Sequence, residues 1–233
     1  MNQVNKQYIS FRIAFFITSL SLLFACAGEA ADKGDTTKDA NAYMHQSDFD
    51  ALVERFEGPE RNAYQQPEKV MEWLGDIRGK KIMDIGAGTG YFSFRLAAGG
   101  AQVLAADVDT LFQQYILNKR DSLGIDAAAL DTMLLPYDSP RLPGNSVDMV
   151  LVVNTYHHIA NRKEYFADVL MGLRQDGELV IIDYFKKDLP VGPPAAHKID
   201  YPVVVQELKS SGFTHFAIDT TLLEYQYCIR ASI

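Results

Sequence analysis

In the run Asp84-Ile85-Gly86-Ala87-Gly88-Thr89-Gly90 a carboxylate is followed by three alternate glycines. Glycines so placed let the backbone turn tightly and lie against a ligand without Cβ clashes, so the run reads as a loop for a nucleotide-bearing cofactor. The GxGxG spacing departs from the GxGxxG of a dinucleotide loop, whose third glycine position is here Tyr91. No Gly-Lys-Ser/Thr ending follows, which disfavours a triphosphate cradle. Asp107 stands at the separation, about 20 residues, where an acid accepts from ribose hydroxyls; a solvated turn carboxylate is the alternative. Asn154 ends an apolar run, where open sheets bind ligands, so its amide is placed to touch the cofactor. His157 and His158 follow almost directly. Imidazoles titrate near neutrality, which makes the pair candidate proton acceptors, the alternative being two structural histidines. Adjacent side chains of an extended segment point opposite ways, so at most one of the pair is expected to face a pocket. No Cys or carboxylate completes a ligand spacing around them, and no metal is expected.

The elements that must hold these residues alternate between strand and helix. Ile82, Met83 and Ile85 supply a buried strand leading into the glycines, and 102–106 a second one that delivers Asp107, with Asp109 on the same side. Further strands are expected at 132–136, 148–153, 178–184, 216–219 and 225–231. Helices are expected at 48–56, 67–74, 91–98, 111–123, 162–173 and 201–211, with Pro67 as a start and Gly99-Gly100 and Gly124 as stops. This order predicts an α/β fold: a doubly wound, mostly parallel sheet in three α/β/α layers. The last two strands have no helix between them and predict a C-terminal antiparallel hairpin at one edge. Asp148, which opens a strand, is read as structural. The proline-rich loop 186–198 is either a semi-rigid substrate wall or a plain connection.

The stretch Asp84 to Gly90 with Asp107 resembles the first two motifs of the class I, Rossmann-like S-adenosylmethionine-dependent methyltransferases. Residues 138–148 resemble the third region of that family, and 149–154 with Tyr156-His157-His158 its fourth strand and following loop. The resemblance runs from about residue 50 to the C-terminus. It implies S-adenosyl-L-methionine as cofactor, with Asp84 and the backbone of Gly86, Ala87, Gly88 and Gly90 on its methionine part and Asp107 on its ribose. It also implies Asp138, beside Ser139, at the adenine amino group. In relatives the segment before the first strand folds over the cofactor, where Arg61 would meet the methionine carboxylate; a solvated arginine is the alternative. Asn154-Thr155-Tyr156-His157 lacks the paired prolines of the Asn-Pro-Pro-Tyr box used on nucleobases or glutamine, so that activity is not supported. The function expected is methyl transfer to an unidentified small-molecule acceptor. The alternative is a membrane-tethered binding module that keeps the fold without transfer.

A chain of 233 residues with 48% hydrophobic content is enough for one such domain. Its net charge of −8 argues against a nucleic-acid partner, since phosphate binding needs clustered Lys and Arg. Residues 1–26 read as a signal segment: Lys6 and Arg12 precede an apolar run that ends in Leu23-Phe24-Ala25-Cys26, which resembles a bacterial lipoprotein cleavage box. The expectation is a lipid anchor at Cys26, a flexible polar tether over 27–47, a methyltransferase domain over 48–233, and a place at the membrane of the cell envelope. A true start at Met44 would instead leave the protein cytoplasmic. The cysteines are Cys26 and Cys228, so there is no disulfide framework, and Cys228 reads as a buried apolar group.

Overall fold

The computed structural model describes residues 48–233, so the expected signal segment, anchor and tether lie outside the described residues. Three short helices lead in: α1 (Phe49–Glu57), α2 (Pro59–Gln65) and α3 (Pro67–Leu74). Pro59 and Pro67 each open a helix, where a missing N–H costs nothing. Then follow β1 (Lys81–Ile85), α4 (Ser93–Ala98), β2 (Gln102–Asp107), α5 (Thr110–Ser122), β3 (Leu130–Leu134) and β4 (Val147–Val153). The second half comprises α6 (Arg162–Gly172), β5 (Leu173–Tyr184), α7 (Tyr201–Ser210), β6 (His215–Asp219) and β7 (Gln226–Ser232).

The seven strands form one sheet in the order β3-β2-β1-β4-β5-β7-β6. β1 to β5 run parallel, and β7 inserts between β5 and β6, antiparallel to both. The central strands are buried on both faces, and their side chains alternate between two cores. Val150 and Val152 of β4, with Leu179 and Ile181 of β5, pack towards Phe166 and Val169 of α6 and Val204 and Leu208 of α7. Met149 and Leu151, with Val180 and Ile182, face the opposite core, which holds Val70 of α3, Leu96 of α4 and Ile116 of α5. The result is the expected three-layer α/β/α arrangement with its C-terminal hairpin.

Three local expectations are corrected, and α2, over Pro-Glu-Arg-Asn-Ala-Tyr-Gln with no apolar periodicity, is a helix in addition to those expected. β3 begins two residues earlier than expected and stops before Pro136, which has no N–H to continue a ladder. β5 begins at Leu173 rather than 178. Its polar start, Arg174-Gln175-Asp176-Gly177, looks like a turn, but a register shift between Val147 and Met149 of β4 accommodates it. The histidine pair lies in a 3-10 turn, Tyr156–His158, and not in an extended segment.

Asp148 is an anchor, as read: its carboxylate accepts from Arg174 Nη1 at 2.7 Å and from the Lys81 amide at 2.7 Å, at the amino end of the parallel strands. Asp84 is buried within β1, and Ser93 Oγ donates to its Oδ2 at 2.6 Å. Burial pushes the Asp84 carboxyl up to about 6 from 3.8. Between those values the folded chain holds this proton more often than the unfolded chain, so stability declines as pH rises through the interval. Asp84→Asn removes that decline. The unfolding free energy at about pH 7 minus that at about pH 4, read from urea titrations, is expected to be more positive than in wild type by up to about 3 kcal/mol; an unchanged difference excludes Asp84 as the source of the decline.

Candidate functional site

The carboxyl ends of β1 to β5 share one edge, and a cavity of about 280 Å³ opens there. It lies across the point where the chain order diverges, with β2 and β3 on one side of β1 and β4 and β5 on the other. Gly86, Ala87 and Gly88 line it directly after β1. Gly88 takes a φ of +54° and donates its N–H to Asp107 Oδ2 at 2.8 Å, which ties the glycine loop to the end of β2. The other oxygen, Oδ1, accepts from the Asp109 amide at 3.0 Å. Asp107 is 8% exposed and lines the cavity; burial raises its carboxyl above the usual carboxylate range, against the pull of those amides. Asp109 lines the cavity too, and caps α5 by accepting from the Leu111 amide at 2.8 Å.

Three of the expected cofactor residues fall outside this lining. Asp84 is buried against Ser93, away from the lining. Gly90 is required by packing: a Cβ there would stand 2.9 Å from the Phe94 ring and 3.1 Å from Ile116. Asp138 is exposed and absent from the lining, while Leu135, Pro136 and Tyr137 form the wall beyond β3. The reason is local: the chain leaves β3 through Pro136, and the wall is complete before Asp138 is reached.

Asn154 lines the cavity with φ +56°, a left-handed conformation that asparagine tolerates. Its side chain closes a ring of three amides. Asn154 Nδ2 donates to Gln65 Oε1 at 3.1 Å, Gln65 Nε2 to Gln226 Oε1 at 3.0 Å, and Gln226 Nε2 to Asn154 Oδ1 at 2.5 Å. The ring ties α2 to the ends of β4 and β7, and so fixes a roof that carries Arg61 and Tyr64 into the cavity lining. Arg61 Nη1 donates to the Phe56 carbonyl at 3.1 Å, and the guanidinium lies 4.0 Å from the Tyr91 ring centroid. Its Nε is buried without a hydrogen-bond partner among the described residues, and burial lowers the guanidinium from its usual range.

Both histidines line the cavity, because the 3-10 turn places their rings side by side with centroids 4.2 Å apart. His157 is buried, and its Nδ1 meets both oxygens of Asp183 at 2.9 and 3.0 Å. Sequence reasoning missed Asp183. The signal was there: Asp84, Asp107 and Asp183 are all acids closing a buried strand at the same edge. The loop after β5 brings Gly192, Pro193 and His197 to the lining. Gly192, at φ +82°, is pressed on Tyr184, whose ring would meet a Cβ at 2.8 Å, and Lys198 Nζ closes the loop base on the Lys187 carbonyl at 3.0 Å. This loop is therefore a wall of the cavity.

The residues fit a ligand with a diol at one end and a carboxylate at the other. Asp107 offers acceptors at the end of β2, and Arg61, beside Phe56 and Tyr91, an unmatched Nε donor. No group of His, Cys, Asp and Glu suited to a metal ion occurs among the described residues.

Residues 83–181 match the family profile described as a methyltransferase domain. A tRNA U34 carboxymethyltransferase of Psychrobacter arcticus is 29% identical over 121 residues, which are 49% of this chain and 35% of that protein. One of Marinobacter nauticus is 32% identical over 117 residues, 49% of this chain and 34% of that protein. The chain thus spans about a third of the length of these curated relatives. A solved S-adenosylmethionine-dependent methyltransferase of Aquifex aeolicus superposes with a TM-score of 0.72 at 22% identity, over 79% of this chain and 98% of that one. Residues 83–181 thus resemble a methyltransferase domain, and the described residues share the class I α/β fold of the solved S-adenosylmethionine-dependent methyltransferase.

Proposed function

We propose that this S-adenosylmethionine-dependent methyltransferase domain methylates a small-molecule acceptor held in the cavity at the sheet edge. The observation that carries the reading is one continuous cavity with the glycine loop and Asp107 on one side and His157 and His158 on the other. When bound, the cofactor supplies a methyl group on a sulfonium, open to in-line displacement. The protein's part is to hold, orient and deprotonate. Asp107 accepts from the ribose hydroxyls, the loop backbone approaches the methionine part, Arg61 receives the carboxylate, and Pro136 and Tyr137 flank the adenine. Asn154 fixes the roof, and the second N–H and second lone pair of its amide stay open to the cofactor. A histidine takes the acceptor's proton.

The curated relatives are named for a tRNA acceptor. A chain of net charge −8 favours a small molecule here. Bulk tRNA taking up label from methyl-labelled S-adenosylmethionine overturns that choice.

Calorimetry of the purified full chain with S-adenosylmethionine and S-adenosylhomocysteine tests the cofactor reading, and absence of binding removes it. Asp107→Ala is expected to weaken S-adenosylhomocysteine about ten- to a hundredfold, since loss of charged hydrogen bonds costs roughly 1.5–3 kcal/mol. Unchanged affinity takes Asp107 out of the site. Arg61→Ala should cost at least about tenfold in S-adenosylhomocysteine affinity and leave methylthioadenosine, which has no carboxylate, within about twofold. Equal losses for both ligands assign Arg61 to packing alone. We also place the domain at the cell envelope through a lipid on Cys26, on the strength of the Leu23-Phe24-Ala25-Cys26 run. Tritiated fatty acid fed to expressing bacteria should label the wild type and not Cys26→Ser; an unlabelled wild type rejects the anchor.

A further inference from the structure

We propose that His157 and Asp183 form a base pair in which Asp183 is the positioning residue, and that the acceptor they serve is a phenolic hydroxyl. The inference rests on the methyl-transfer reading and deepens it.

Asp183 is 1% exposed and His157 2%. The carboxylate is held from three directions: Oδ1 accepts from the Tyr184 amide at 2.7 Å, Oδ2 faces the His157 amide at 3.4 Å, and both face His157 Nδ1. An acid fixed in this way sets the imidazole tautomer, with the proton on Nδ1, and stabilises the imidazolium that forms when Nε2 takes up a second proton. The His158 ring lies tilted beside that of His157, and Tyr184, Tyr227 and Lys198 face Asp183 from β5, β7 and the loop base. The buried carboxylate sits on Nδ1 of His157.

A base so prepared selects among acceptors. Carboxylates are ionised at neutral pH and thiols partly so; they need little help. An ammonium acceptor would find Arg55 and Arg61 offset by Asp107 and Asp109 in the lining, and it needs no base held in one tautomer by a buried carboxylate once it has lost its proton to solvent. Aliphatic hydroxyls are too weakly acidic for an imidazole, whereas a phenol, titrating near 10 as tyrosine does, lies within its reach. Phe56, Tyr64, Tyr165 and Tyr184 supply aromatic faces for the ring of such an acceptor. In the step, the phenol proton passes to His157 Nε2 while an oxygen lone pair forms the O–C bond to the methyl carbon. The C–S bond breaks with its electron pair left on sulfur, giving a neutral thioether, and His157 then releases the proton to solvent.

The test uses the full chain, methyl-labelled S-adenosylmethionine, and two probes: catechol, and 4-nitrophenol, which ionises readily near neutral pH. Asp183→Asn and His157→Gln should each bind S-adenosylhomocysteine within about twofold of wild type and lose about 10²- to 10⁴-fold in transfer to catechol. They should lose less than about tenfold with 4-nitrophenol, and the catechol deficit should narrow as pH rises. Equal losses for both probes overturn the proposal, since misfolding or mispositioning would not spare the ionised one. So does a deficit that follows His158→Gln rather than His157→Gln. Wild type that binds S-adenosylhomocysteine but methylates neither phenol overturns the acceptor assignment, while failure to bind it sinks the cofactor reading instead.

Discussion

Parallel strands buried on both faces end together, and every polar group delivered to that edge must be satisfied by what the loops bring. This is the constraint on which the rest of the structure depends. β1, β2, β4 and β5 pack their side chains alternately into two apolar cores, so none of them can shift register without turning its apolar side chains to the wrong layer. The edge is therefore fixed in position before any ligand arrives. The cavity inherits that rigidity: its glycine loop is tied to β2 by the Gly88–Asp107 hydrogen bond, and its far wall is tied to β5 through His157 and Asp183.

Three acids close strands at this edge, and the protein treats each one differently. Asp84 is sealed away from the lining with a single hydroxyl donor, and its proton is held more tightly than in solution. Asp107 is bound by backbone amides and keeps a face on the cavity. Asp183 is matched to an imidazole. The same residue type thus serves as a buried proton holder, a ligand acceptor and an orienting group, and the neighbours decide which.

Much of this was legible in the chain. The short apolar runs, the proline and glycine punctuation and the Asp84 to Gly90 loop yield the sheet, the layers and the cavity floor. The losses have physical causes. α2 lacks an apolar stripe because one side of it faces the cavity, so periodicity could not reveal the helix that carries Arg61 and Tyr64. Asp138 sits where the motif would have it, but the turn through Pro136 spends the wall on earlier residues. The pairing of His157 with Asp183 spans 26 residues and is invisible to spacing, although an acid at the end of a buried strand is a sign that can be read.

The ring of Gln65, Asn154 and Gln226 joins a helix near the start of the domain to the strand that ends it. All three members are uncharged, so the joint does not loosen or tighten with acidity, unlike the carboxylates around it. Each amide gives once and receives once, which leaves a single sense of circulation; turning any one end for end forfeits two bonds together. The last strand is in this way a hinge pin for the roof over the cavity, and a change near the C-terminus can be felt at the mouth of the site.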